Sequence, residues 1–138
     1  MKKCNPRTFT TPLGEIHVKE SGLIHGHLIP LEVTTEILEE HYVILEKELV
    51  EPKFPFVLTF KPSYLKMNAK SRRFNNEMMN KWATCMGVVV HNPLLRAFAN
   101  MYIRIATLDY DILVFENFEK AEAWALSHSL NELKPTRY

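Results

Sequence analysis

The amino-acid sequence predicts a single α/β domain, with a mixed, mostly parallel sheet of about five strands and four helices. Continuous apolar segments alternate along the chain with segments that place apolar residues every three or four positions. The first kind is typical of buried parallel strands and the second of amphipathic helices. Near the N-terminus, two segments of alternating polarity predict an antiparallel hairpin that leads into the sheet. A chain of 138 residues has the length of one domain.

Composition and charge argue against several classes of protein. Hydrophobic residues make up 46% of the chain, which is enough apolar material for a real core. The net charge of +1 gives no basic signature of a nucleic-acid-binding protein. No apolar run approaches the ~20 residues of a membrane span, and the start MKKCNPRTFTTPLG lacks the apolar centre of a signal peptide. Since Cys4 and Cys85 also lack the spacing of a disulfide framework, we expect a cytoplasmic protein without nucleic-acid binding or stable membrane insertion.

The hairpin is the first predicted element. Its two segments, GEIHVKES and GLIHGHLIP, are separated by a Ser-Gly turn signal. Pairing apolar with apolar residues places Glu15 and His17 opposite His27 and His25, on one face of the hairpin. Three imidazoles from His17, His25 and His27 could hold a zinc ion there. The alternative, which we favour, is a polar face turned to solvent, so the sequence predicts no metal and no cofactor.

A helix and a buried strand follow the hairpin. The segment TTEILEEHYVILEKELV has apolar residues spaced four, three and four apart, as on one face of a helix, at Leu38, Tyr42, Leu45 and Leu49. Thr34 or Thr35 can cap its start. The run FPFVLTF is continuously apolar, which is typical of a strand buried on both faces.

The second half of the chain repeats this alternation. TCMGVVVH predicts a buried strand, and Asn92-Pro93 predicts a helix cap and first helical residue. The helix LLRAFANMYIRIA would turn one apolar stripe to the core, made of Leu94, Phe98, Met101 and Ile105. DILVFEN is the last predicted buried strand, and FEKAEAWALSHSL the last helix. We expect a flexible N-terminus at 1–13, one domain at 14–131 and a C-terminal tail at 132–138.

The segment MNAKSRRF begins a helix with an unusual charge. Asn68 is a good N-cap, yet cations follow in the first turn, where the helix dipole favours acids. Unpaired N–H groups and these cations together would attract an anion or an acidic partner. The predicted binding residues are Asn68, Lys70, Ser71, Arg72 and Arg73. The alternative is that the long cationic side chains extend into water, which screens them.

Charge is also uneven over longer distances. The segment from Glu32 to Glu51 is acidic and the segment from Lys61 to Lys81 is basic. The two could complement each other across a homodimer or face different partners. The alternative is a pair of solvated helix faces.

Aromatic and methionine side chains on the predicted core-facing stripes permit an apolar pocket between sheet and helices. Trp82, Phe98 and Met101 would line it, with His91 at the carboxyl edge of a parallel strand, where open α/β sheets bind ligands. Ordinary core packing is the alternative.

The order of elements resembles that of the STAS domain superfamily, in particular its SpoIIAA-like proteins, which include bacterial anti-sigma-factor antagonists. Three segments carry the resemblance: FVLTF leading to MNAKS, MGVVVHNPLLRAFANMYIRI, and DILVFENFEKAEAWAL. The resemblance implies a SpoIIAA-like fold and a small stand-alone regulatory module without enzymatic activity. It also implies that the start of the second helix contacts a partner.

In signalling members of this superfamily, a loop reading Asp-Ser-Ser-Gly carries a serine that a partner kinase phosphorylates. That tetrad falls on Asn68, Ala69, Lys70 and Ser71. The acid is replaced by an amide, neither serine position holds a serine, and Ser71 stands one residue out of place. This departure argues against a phosphorylation switch in this chain.

The sequence therefore predicts two alternative functions. In the first, a non-enzymatic STAS-like module, expected as a homodimer, recognises a protein partner or an anionic ligand through the cationic helix start. In the second, the chain carries an apolar small molecule or a lipid between sheet and helices. Some proteins related in fold to STAS domains carry lipids.

Overall fold

The computed structural model of the chain describes residues 4–29, 31–49, 53–59, 65–105 and 108–133. Its strands are β1 (Arg7–Thr11), β2 (Gly14–Val18), β3 (Ile24–Leu28), β4 (Leu31–Glu32), β5 (Phe54–Thr59), β6 (Leu65–Lys66), β7 (Ala83–Val89) and β8 (Asp111–Phe115). Its helices are α1 (Thr35–Glu48), α2 (Ala69–Trp82), α3 (Pro93–Ile105) and α4 (Phe118–Leu133).

Six strands form one mixed sheet in the order β1-β2-β3-β5-β7-β8. The first three pair antiparallel, and β3, β5, β7 and β8 pair parallel. The predicted hairpin is present in the predicted register, with Glu15 opposite His27 and His17 opposite His25. The α/β class and the four helices are confirmed, whereas the main sheet has one strand more than predicted.

The additional strand, β1, lies within the segment 1–13 that we expected to be a flexible N-terminus. It pairs with β2 along its whole length, from Arg7 opposite Val18 to Thr11 opposite Gly14. Its sequence RTFTT is rich in the β-branched and aromatic residues that suit strands. Because this edge strand is exposed or half-buried throughout, it lacks the buried apolar residues of β2, β3, β5 and β7.

Helix α4 packs closely on one face of the sheet, against β5 and β7. Small residues allow the close approach: a Cβ added at Gly87 of β7 would lie 3.1 Å from the Cβ of Ala121. Ala121 and Ala125 are both fully buried there. This face therefore has no space between helix and sheet at β7.

Helices α1, α2 and α3 lie on the opposite face, and a small parallel ladder of β4 and β6 sets the start of α1 beside that of α2. The hydroxyl of Thr34 caps α1, and the Asn68 side chain caps α2 as predicted. The hydroxyls of Thr35 and Ser71 lie 3.1 Å apart. Two helix N-termini thus meet at the carboxyl ends of β3 and β5.

The predicted start of α3 is confirmed, but its predicted core-facing stripe is wrong at Leu94. The Asn92 side chain accepts from the backbone N–H groups of Leu94 and Leu95 at 2.8 and 3.2 Å. The Leu94 side chain is 66% exposed, and Leu95 packs against the core instead. The side chains of the other stripe members, Phe98, Met101 and Ile105, lie outside the described part of the structure.

The last helix reaches Leu133, two residues beyond the domain end predicted at residue 131. Residues 134–138 of the predicted tail lie outside the described ranges. None of the helices described is both long and apolar enough to cross a membrane.

Candidate functional site

A cavity of about 630 Å³ lies between the sheet and helices α1, α2 and α3. Strands β2, β3, β5 and β7 provide most of its floor, including Ile16, Ile24, Phe56, Leu58, Met86 and Val88. The three helices provide its walls, including Leu38, Tyr42, Leu45, Met79, Leu95 and Ala99. Small-molecule sites in proteins commonly have volumes of about 300–1,000 Å³ and predominantly apolar walls. The cavity is therefore of a size and composition that suit a small-molecule ligand.

Gly26 contributes no side chain to the cavity floor. It lies in the middle of β3 opposite Ile16, and a Cβ added there would lie 2.9 Å from Cδ2 of Leu58. A glycine inside a strand weakens the sheet, and it often marks a place where a ligand or another chain segment approaches closely. A side chain at this position would displace the Leu58 side chain toward the cavity and reduce the cavity volume.

Two buried polar side chains of the cavity wall, those of His41 and Tyr42, are uncharged at neutral pH. His41 is 5% exposed, its Nδ1 lies 2.8 Å from Oγ1 of Thr11, and burial lowers its pKa to about 4. The Tyr42 hydroxyl donates to the side chain of Asn75, and burial raises the pKa of Tyr42 well above its ordinary value. Both side chains are held by hydrogen bonds to neighbouring residues.

The charge in the described cavity lining is confined to two cations, Lys66 and Arg72. Both are exposed, whereas the other described lining residues are buried or half-buried. We call this pair the cationic mouth. Nη1 of Arg72 donates to the carbonyl oxygen of Met67 at 2.7 Å, which holds the guanidinium close to the start of α2. The adjacent N-termini of α1 and α2 add the positive ends of two helix dipoles to the same region.

The predicted anion-binding residues differ in their exposure and in whether they line the cavity. Asn68, Lys70, Arg72 and Arg73 are exposed, so the start of α2 is open to solvent as expected. Of these four, only Arg72 is among the described residues that line the cavity. The Asn68 side chain accepts from the backbone N–H of the third helical residue at 2.8 Å, and so it serves as the helix cap.

The prediction that Ser71 belongs to this exposed surface is wrong. Ser71 is fully buried, and its hydroxyl lies 3.1 Å from that of Thr35 in the contact between α1 and α2. Its position in the helix turns it toward the neighbouring helix, while the cations on either side of it point to solvent. Ser71 therefore fastens the two helix starts together.

Two of the residues predicted to line an apolar pocket lie elsewhere. Trp82 is 2% exposed and belongs to the packed core, and its indole N–H has no hydrogen-bond acceptor among the residues described. His91 is exposed after the end of β7. A pocket between sheet and helices, one of the two alternatives that the sequence left open, is present, but these two residues are not part of its described lining.

The other two predicted pocket residues, Phe98 and Met101, have side chains outside the described part of the structure. Their helix does contribute to the cavity, through Leu95 and Ala99. Sequence reasoning missed most of the lining because apolar residues of a packed core and of an open cavity look alike. Gly26 was the available signal, since it stands between Ile24 and Leu28 on the cavity face of β3 without a side chain of its own.

The three histidines lie on the opposite face of the sheet from the cavity. His17, His25 and His27 share that face as predicted, with ring centroids 4.2 to 6.0 Å apart. The expectation that this face is turned to solvent is wrong at His25, which is buried and packs against Phe118 of α4. Nε2 of His25 lies 2.9 Å from Oγ1 of Thr59, and Nδ1 of His17 lies 2.9 Å from Oγ1 of Thr8. Burial, together with the neighbouring His27, lowers the pKa of His25 to about 4. Within the described ranges, no group of three or more His, Cys, Asp or Glu residues has the arrangement of a metal site.

Comparison of the chain with protein-family models, with curated proteins and with solved structures gives no match. The resemblance to STAS domains stays a prediction.

Proposed function

We propose that this chain is a non-enzymatic binding protein that holds an apolar small molecule in the cavity between its sheet and helices α1 to α3. The cavity itself is the observation that carries the proposal, with its volume of about 630 Å³ and its predominantly apolar lining. Protein interiors are ordinarily packed to the density of organic crystals, with few voids larger than a water molecule. An apolar space of this size therefore favours an occupant.

A bound apolar molecule would supply contacts that the cavity lining lacks. Atoms that border a void lose their dispersion partners on one side, and this loss destabilises the fold. Three methionines, Met67, Met79 and Met86, are part of the lining. Because methionine is flexible and polarizable, these side chains can adapt to ligands of different shape.

Titration with the neutral, fluorescent, apolar dye Nile red tests the proposal. The wild-type chain is expected to take up one dye molecule per chain with saturable fluorescence. In Gly26→Val, the added Cβ would lie 2.9 Å from Cδ2 of Leu58, so the Leu58 side chain must shift toward the cavity. This variant is therefore expected to reduce the cavity volume and to weaken dye binding at least tenfold. The matched control is His27→Val, one position along β3, where the side chain is exposed on the other face.

A second filling variant, Ala99→Leu, narrows the cavity from the side of α3 and serves if Gly26→Val does not fold. Circular dichroism shows which variants are folded. Absence of saturable dye uptake by the wild type would contradict the proposal. Dye binding that is unchanged in both folded filling variants, or lost equally in His27→Val, would contradict it too.

A second candidate function is recognition of an acidic protein partner by the start of α2, as a STAS-like module. Lys70 and Arg73 favour it, because both are exposed and the first turn of α2 contains no acid. A pull-down from native lysate would compare the wild type with Lys70→Ala/Arg73→Ala. Loss of a specific partner is expected if these cations recognise it, and an unchanged set of partners would remove this candidate.

A further inference from the structure

We infer that the molecule held in the cavity is an amphiphile with a long apolar tail and an anionic head, either a carboxylate or a phosphate monoester. The tail lies in the cavity and the head lies at the cationic mouth, between Lys66 and Arg72. This inference rests on the proposed function, because it requires a ligand in the cavity. It adds the chemical class of that ligand and its orientation.

The charges around the cavity are of one sign and lie at its mouth. The described lining contains two charged side chains, both cationic and both exposed, and no acid. A ligand with a positive head would meet two like charges at the mouth, whereas an anionic head would gain two charge-assisted hydrogen bonds. A wholly apolar ligand would leave the sign and the placement of these charges without a role.

The lack of charged partners inside the cavity determines how the ligand is oriented. A charged head loses its hydration on burial, and this cost is large unless the head is paired. The described lining of the interior offers it no charged partner, because burial lowers the pKa of His41 to about 4 and the Tyr42 hydroxyl already donates to Asn75. The apolar tail suits this interior, and the head is paired only at the mouth.

The cations of the mouth are available to a ligand. Neither Lys66 nor Arg72 forms an ion pair with a residue that the structure describes, although Glu32 is aligned with Lys66 in the β4–β6 ladder. The contact with Met67 uses one N–H of the Arg72 guanidinium, which carries further donors suited to carboxylate and phosphate oxygens. Both cations stand where the two helix N-termini meet, and this arrangement strengthens the attraction for an anion.

The chain contains its own matched control for this argument. Lys70 and Arg73 are exposed cations of the same first turn of α2, but they are not among the described residues that line the cavity. Removal of either pair changes the net charge by the same amount. If the ligand is attracted only by the general positive charge, both double variants should weaken its binding equally. If its head is paired at the mouth, only the loss of Lys66 and Arg72 should weaken binding.

The experiment measures displacement of Nile red by three ligands of equal chain length: a fatty acid, an alkyl phosphate monoester and a fatty alcohol. We expect at least one anion to bind the wild type about tenfold or more tightly than the alcohol, since hydrogen bonds to charged groups contribute on this scale. The advantage should disappear in Lys66→Met/Arg72→Met and persist in Lys70→Met/Arg73→Met. The preferred anion then identifies the head as carboxylate or phosphate.

Retained Nile red binding shows that the cavity of the mouth variant is intact, and the single variants Lys66→Met and Arg72→Met replace the double variant if it does not fold. Equal affinities of acid, phosphate and alcohol for the wild type would overturn the anionic head and leave the apolar site standing. An equal loss in the Lys70→Met/Arg73→Met variant would overturn the assignment of the head to the mouth. Failure of the wild type to bind Nile red or any of the three ligands would instead refute the proposed function.

Discussion

At the scale of single residues, His41 links the cavity wall to the stability of the fold. Its side chain is 5% exposed, with Nδ1 2.8 Å from Oγ1 of Thr11 in β1. Burial disfavours the imidazolium form and lowers the pKa of His41 from 6.5 to about 4. Protonation of this side chain therefore opposes folding.

We predict that the free energy of unfolding falls as the pH is lowered from about 6.5 to about 4, in part through His41. In this window the unfolded chain binds more protons than the folded chain, so stability increases with pH. A shift from 6.5 to about 4 corresponds to about 3 kcal/mol of stability when it is lost completely. Urea unfolding across this pH range should show a shallower dependence for His41→Gln than for the wild type.

The His25→Gln variant measures the second contribution in this pH window, because the pKa of His25 is also lowered to about 4. Each variant should remove its own part of the dependence. Parallel curves for His41→Gln and the wild type between pH 6.5 and 4 would contradict the account of His41.

Single residues also show which features the sequence could predict. Asn68 was predicted as a helix cap and is one, because a cap is set by the few residues around it. The buried position of Ser71 was not predicted, because it depends on where α1 lies relative to α2. Exposure on a helix is determined by neighbours distant in the sequence, and the local pattern of charges gave no sign of this contact.

At the scale of elements, the two faces of the sheet show opposite uses of a strand glycine. Gly87 of β7 faces α4, where an added Cβ would lie 3.1 Å from the Cβ of Ala121 and 3.5 Å from its Cα. Gly26 of β3 faces the cavity, where the nearest contacts of an added Cβ are the ends of flexible side chains, led by Leu58. Glycine permits close helix packing at the first position, and at the second the flexible side chains of neighbouring residues occupy the place of its missing Cβ.

We therefore predict that Gly87→Val destabilises the protein more than Gly26→Val does. The valine at position 87 must push α4 away from the sheet, and over-packing of this kind costs about 1–3 kcal/mol. The valine at position 26 requires only the Leu58 side chain to shift toward the cavity. Urea unfolding of both variants measures the difference, and a larger loss for Gly26→Val would contradict the description of the two faces.

The elements themselves were predicted where their pattern is strong. The buried runs that became β5 and β7 and the cap of α3 were found from the sequence. Strand β8 was found as a strand, but the prediction that it is buried is wrong, because this strand lies at the edge of the sheet and is exposed or half-buried throughout. Strand β1 was missed because its pairing with β2, rather than a buried apolar face of its own, makes it a strand. The face of α3 was misassigned at Leu94 because a helix with apolar residues on several sides does not define one buried stripe.

At the scale of the whole molecule, the sheet separates a closely packed layer from a layer that contains space. Alanines of α4 lie directly on β7, while α1, α2 and α3 enclose a cavity of about 630 Å³ with the sheet. The α/β architecture was predictable because it follows from the order of elements. The cavity lining was not, since it depends on how far apart the helices and the sheet come to rest. The two cations of the mouth lie on one short segment, from Lys66 in β6 to Arg72 in α2, and the β4–β6 ladder places this segment beside the start of α1.

The most direct test of the central claim, that the cavity holds the tail of an anionic amphiphile, is a crystal structure with a fatty acid brominated at the end of its chain. The account predicts one anomalous bromine peak inside the cavity, between the sheet and α1 to α3. It also predicts a carboxylate within hydrogen-bonding distance of Lys66 or Arg72. Bromine found only at the protein surface, or side chains that fill the cavity in the presence of excess ligand, would contradict it.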